Sequence, residues 1–254
     1  RILRAKYDLG LTIAPKIMLN ELPEDILHPE GIVLRSKLFA EAVTLAKDEE
    51  AEIPFRRLDS IKFATVAFGS RGLNTFQQRV ESYTGASHIN LSYNPTPQAV
   101  QAAIKSLSKV DHVLISTEDM SKYSSKSFGI SKTCRNIISQ IEKIKPVTLV
   151  IFGSPYSLKY FDDYDRVVMS YTDDSTMMDK TAQAIFGAAA IQGSLPVTAS
   201  EEFKYGQGER RVSLQRLGFA APEEVGMSSD TLLGIDELVD EMIAMKAAPG
   251  CQIF

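Results

Sequence analysis

The feature that most restricts the fold is a repeated exchange of short apolar runs for helix-spaced apolar stripes. Phe63–Phe68, His112–Ile115 and Val147–Phe152 are nearly uninterrupted apolar runs, and Val167–Met169 is a shorter one. Such runs belong to strands covered on both faces. Between them, Phe76, Val80 and Tyr83, then Val100, Ala103, Ile104 and Leu107, then Ile130, Cys134, Ile137, Ile138 and Ile141 recur at helical spacing. A further helix carries Met178, Ala182, Ile185, Phe186 and Ala189. Strands alternating with helices predict a largely parallel sheet with right-handed crossovers. The expected fold is therefore α/β, a three-layer αβα sandwich with a mostly parallel sheet of five or six strands.

Local signals fill in the rest. Thr96 followed by Pro97 opens a helix, because the hydroxyl caps orphan N–H groups and proline has none to lose. A short strand is expected near Ile89–Leu91, and an edge strand at Leu195-Pro196-Val197, where proline cannot donate to a ladder. Leu34, Leu38, Ala42, Leu45 and Ala46 predict a helix reaching Ala46. After Gly206 the pattern changes to a linker, followed by an amphipathic helix with Leu232, Ile235, Leu238, Val239 and Met242.

Composition excludes little and supports a packed core. Apolar residues make up 44% of the 254 and charged residues 24%. Net charge is −4 and no Lys/Arg run exceeds two residues, which argues against a nucleic-acid partner. No apolar run approaches the ~18 residues of a membrane span. The two cysteines, Cys134 and Cys251, lack metal-ligand spacing.

Ligands of doubly wound sheets bind at the carboxyl ends of the strands. Here those ends are Gly69-Ser70-Arg71-Gly72, Ser116-Thr117-Glu118-Asp119 and Gly153-Ser154-Pro155-Tyr156. The cleft-facing candidates are Ser70, Arg71, Glu118, Asp119, Ser154 and Tyr156. No phosphate-loop pattern occurs at Gly69–Gly72, and the glycines read as turn formers. None of Ser70, Ser116 and Ser154 lies in a Gly-x-Ser-x-Gly elbow. His28, His88 and His112 have no carboxylate at dyad spacing, and His112 reads as a satisfied strand residue. Asp162-Asp163-Tyr164-Asp165 and Asp173-Asp174 read as turn and cap residues, not metal ligands. The residues by themselves assemble no active site and call for no cofactor or metal.

Several segments, in order, resemble family 3 glycoside hydrolases. Arg1–Leu11 is similar to the segment leaving that family's catalytic barrel, and Glu52-Ile53-Pro54-Phe55 to the entry into its second domain. Phe152-Gly153-Ser154-Pro155-Tyr156 resembles its Phe-Gly-Asn-Pro-Tyr turn, and Ala184–Gly187 with Gly193–Val197 its closing helix and strand. Pro222–Ser228 and Pro249–Ile253 resemble the opening of a serine β-lactamase-like domain. The resemblance implies a linker from the barrel over residues 1–30, the second αβα domain over 31–205, and a linker plus opening helix of a truncated β-lactamase-like domain over 206–254. Both ends read as cut from a longer polypeptide. The implied partners are the barrel and β-lactamase-like domain of that polypeptide and, through it, a carbohydrate.

The family's aspartate nucleophile sits on the barrel. Its β-glucosidase branch adds a glutamate acid from the second domain, in a Gly-Glu-x-Pro-Tyr-x-Glu-like loop. The matching loop here runs Ser116 to Ser125, with serines where the acid is expected and no acidic residue from Met120 to Gln140. This departure resembles the β-N-acetylglucosaminidase branch, whose acid is a barrel-loop histidine. The expected function is thus the non-catalytic second domain of a bacterial, extracytoplasmic or periplasmic, retaining β-N-acetylhexosaminidase. Three alternatives stay open: a β-glucosidase-type domain with Glu118 as acid, a saccharide- or protein-binding module, and a flavodoxin-like nucleotide binder.

Overall fold

The computed structural model describes residues 1–13, 19, 22, 26 and 28–252, arranged as two compact units, 35–219 and 1–34 with 220–254. The larger unit is built on a six-stranded sheet. Its strands are β1 (Thr44–Asp48), β2 (Phe63–Phe68), β3 (Ala86–Leu91), β4 (His112–Thr117), β5 (Val147–Ile151) and β6 (Arg166–Met169), in the order β1-β6-β5-β4-β2-β3. All pairings are parallel except β1 with β6. Strand residues divide by alternation. Ala64, Val66, Phe68, Val113, Ile115, Leu149 and Ile151 enter one core, while Phe63, Leu114, Val150 and Val168 enter the other.

Five helices flank or lead into the sheet: α2 (Pro29–Ala42), α3 (Thr75–Tyr83), α4 (Pro97–Ser106), α5 (Lys132–Glu142) and α6 (Ser175–Ile185). On the first face lie Ala103 of α4 and Cys134, Ile137, Ile138 and Ile141 of α5. On the second lie Phe76 and Val80 of α3 and Met177, Met178, Ala182 and Ile185 of α6. This is the three-layer αβα sandwich that the apolar rhythm predicts. Side-chain caps start the helices: Thr96 accepts from Ala99 N–H at 3.3 Å and Ser131 from Cys134 N–H at 3.0 Å. Each such cap contributes about 1 kcal/mol. Asp174 caps α6 through Thr176 N–H at 2.8 Å, and Asp162 accepts from Ser200 at 2.6 Å, so both aspartates have local structural partners.

Two expected elements differ. The helix ends at Ala42, and Leu45 and Ala46 belong to β1. Thr44, Leu45 and Ala46 are all buried, one side chain to each face in turn, whereas Leu34 and Leu38 are more than half exposed. A run covered on both faces has no stripe, so helical spacing there is coincidental. The edge strand expected at Leu195–Val197 does not form. Leu195 is buried, its N–H donates to Gln207 O and its carbonyl accepts from Gly206 N–H in a loop, and antiparallel β1 takes the sheet edge.

The smaller unit contains α1 (Ile2–Asp8) and α7 (Ser229–Ala244), whose residues are all at least partly exposed. Ser228 caps α7 through Thr231 N–H at 3.3 Å. Residues 14–18, 20, 21, 23–25 and 27 of the 1–30 stretch, and Ile253, lie outside the described residues.

Candidate functional site at the strand carboxyl ends

After β2 the chain crosses to β3 on one side, and after β3 it returns to β4 on the other. The carboxyl ends of β2 and β4 therefore flank the point where strand order reverses, which is where open α/β sheets form a crevice. Glu118 lies in that crevice directly after β4. Its N–H donates to Phe68 O at 3.0 Å, locking the loop to the end of β2.

The Glu118 side chain is held by the facing loop. Asn74 caps α3, its Oδ1 accepting from Gln77 N–H at 2.7 Å, while Gln77 Oε1 accepts from Asn74 N–H at 3.2 Å. With its oxygen turned to the helix, the Asn74 amide presents Nδ2, which donates to Glu118 Oε1. The Ser70 hydroxyl, on the same facing loop, donates to Gly72 O at 2.7 Å. Tyr93 Oη donates to the Glu118 carbonyl at 2.5 Å. Burial is the main effect on the Glu118 carboxyl and raises its pKa; the hydrogen bond from Asn74 opposes this, and the negative charge of Asp173 adds to it. Asp119 turns the chain at φ 50°, and its N–H donates to Asp173 Oδ2 at 2.9 Å.

Gly69 makes this close approach possible. Its φ is +93°, and a Cβ there would meet Glu118 O at 2.3 Å. The backbones of the two loops can touch only at a residue without a side chain.

The six candidates from sequence thus separate. Ser70, Glu118 and Asp119 come together at the β2/β4 crevice, and Arg71 is exposed on the same turn. Ser154 lines a neighbouring cleft of about 300 Å³ with Met120, Ser121, Lys122, Tyr171 and Asp173. Tyr156 lines another, of about 360 Å³. Asn74, Tyr93 and Asp173 were not legible as site residues. Asn74 had a weak signal, since Asn-x-x-Gln before an apolar stripe is a capping box.

The arrangement offers one partly buried carboxyl group whose pKa burial raises. Among the described residues no group of three or more His, Cys, Asp or Glu side chains is placed to hold a metal ion. His112 is buried between Phe55 and Phe63, with Nε2 2.9 Å from Thr148 Oγ1.

No family model matches the chain, and no curated protein matches it. Solved structures do. A family 3 β-N-acetylglucosaminidase from Paenibacillus sp. str. FPU-7 aligns with TM-score 0.59 and 15% identity over 79% of this chain. A β-glucosidase from Erythrobacter marinus aligns with TM-score 0.61 and 12% identity over 83%. A β-glucosidase from Listeria innocua, in complex with glucose, gives 0.60 and 14% over 83%. The chain spans 38%, 39% and 37% of their respective lengths. These likenesses show a fold shared with family 3 glycoside hydrolase structures.

Proposed function

We propose that the αβα unit is the second, non-catalytic domain of a retaining β-N-acetylhexosaminidase that removes terminal β-GlcNAc from glycans or cell-wall fragments. The shared fold supports the glycosidase setting. The single observation that carries the finer reading is the stretch after β4: beyond Asp119 neither the loop nor α5 as far as Gln140 holds an acid. Retaining hydrolysis needs a nucleophile and an acid/base group close together. In this reading both lie on a barrel elsewhere in the parent polypeptide, which also carries the β-lactamase-like module and works outside the cytoplasm. The unit then buttresses the barrel and borders its substrate cleft.

A second reading makes Glu118 the acid of a β-glucosidase-type enzyme, favoured by the raised pKa of its carboxyl. Its hydrogen bond from Asn74 favours a structural carboxylate instead. Glu118→Gln in the barrel-bearing parent distinguishes the two. The non-catalytic reading expects turnover within about threefold of wild type, since the variant keeps the fold. A loss of about a hundredfold or more, the usual contribution of an acid/base group, supports the second reading.

A further inference from the structure

The loop between β4 and α5 has a charge pattern that hydrolysis does not use. From Met120 to Gln140, the rest of this loop and most of α5 hold Lys122, Lys126, Lys132 and Arg135 and no acid, in a chain whose 32 Asp and Glu outnumber its 28 Lys and Arg. Ser127, Phe128 and Gly129 have φ of 49°, 55° and 84°, three successive left-handed residues that fold the loop back on itself. Ser121 N–H donates to Phe128 O at 2.9 Å, and the Phe128 ring is buried 6.5 Å from that of Tyr160.

The cations of this region face aromatic rings. Lys122 and Lys126 lie 5.3 and 5.9 Å from the Tyr123 ring, Lys159 lies 5.5 Å from Phe128, and Arg135 lies 4.3 Å from Tyr160. Among the described residues, none of these four is in ion-pair contact with a carboxylate. Two of them, Lys122 and Lys159, line the 360 Å³ cleft together with Ser124, Phe128, Tyr156 and Ala199. Its size falls in the range of small-ligand sites.

We infer that this cleft binds an acidic saccharide, with a sugar ring packed on the exposed ring of Tyr156 and its carboxylates met by Lys122 and Lys159. Uncompensated like charges gathered at one concave surface create a positive potential that an anion relieves. The Tyr156 ring beside the lysines adds an apolar surface that a bare inorganic anion cannot use but the C–H face of a pyranose can. The lysines present point charges to separated carboxylates, without the planar fork that favours bidentate phosphate recognition. The site is a binding site, so it stands or falls independently of the glycosidase reading.

The test is calorimetric titration of the full chain with trigalacturonate, neutral chitotriose and inorganic phosphate. Saturable binding is expected for trigalacturonate, at least about tenfold tighter than for the other two, and weaker when salt rises from about 20 to about 200 mM. The double variant K122Q/K159Q should lose at least about tenfold in affinity with an unchanged unfolding midpoint, and Tyr156→Ala should also weaken binding. Absence of saturable binding, equal binding of chitotriose or phosphate, or full affinity in the double variant would overturn the inference. Because no turnover is read, a chain that binds trigalacturonate keeps this site even if its parent hydrolyses no glycoside.

Discussion

His112 is enclosed by Phe55 and Phe63 and bonded to Thr148, so acidification must either leave it neutral or break the sheet around it. Burial pushes its pKa down from 6.5 to about 3, and the positive charge of Arg166 adds to the depression. The unfolded chain therefore takes up the proton first. Stability falls as pH drops below about 6.5 and continues to fall until about 3, where both states are protonated. One proton corresponds to about 1.4 kcal/mol per pH unit, so between pH 7 and pH 5 this residue removes about 2 kcal/mol. His112→Gln cannot titrate but retains a hydrogen-bonding group for Thr148. Urea unfolding followed by far-UV circular dichroism suits a chain with no tryptophan. The wild type should lose about 2 kcal/mol more than the variant over that interval, carboxylate effects being common to both. Equal losses would refute the claim that the fold holds this imidazole neutral.

Asp48 has a fully buried side chain, accepts from Glu52 and Ile53 N–H at 3.2 and 3.1 Å, and pairs with Arg211 at 3.1 Å. Asp48→Ala should cost about 2–3 kcal/mol in chemical denaturation, by stranding those donors. Gly69→Ala should destabilise by about 2 kcal/mol or more, because the new Cβ meets Glu118 O, while Gly72→Ala, with nothing within 4 Å, should stay within about 0.5 kcal/mol. Burial pushes the Cys134 thiol up to about 12, whereas Cys251 is exposed. A colorimetric thiol assay should count one reactive cysteine in the native chain and both after denaturation.

The sheet was legible where burial on both faces left a continuous apolar run ended by a turn former. Phe63–Phe68 was readable to its last residue because Gly69 follows it. β1 was hidden because Val43–Ala46 continues the apolar spacing of the helix before it, and its partner β6 lies more than 100 residues away. At the site, the strand-end rule located Glu118, Asp119 and Ser70. It did not reveal that Asn74 orients Glu118, since that contact joins positions 44 residues apart and depends on which way a capping amide turns. Tyr93 was missed for a related reason: it enters from the loop after β3, and its hydroxyl reaches a backbone carbonyl, for which there is no sequence signature. The basic stretch after Glu118 was visible only as an absence of acids. Three left-handed residues are needed to fold it against Tyr160 and Lys159.

In the proposed function this domain accompanies glycosidase chemistry performed elsewhere. The most direct test of that proposal is hydrolysis of a chromogenic β-GlcNAc substrate by the 254-residue chain beside a barrel-bearing polypeptide that contains it. Turnover is expected from the longer polypeptide and none from the chain. Turnover by the chain alone would contradict the proposal, as would a longer polypeptide inactive on β-GlcNAc.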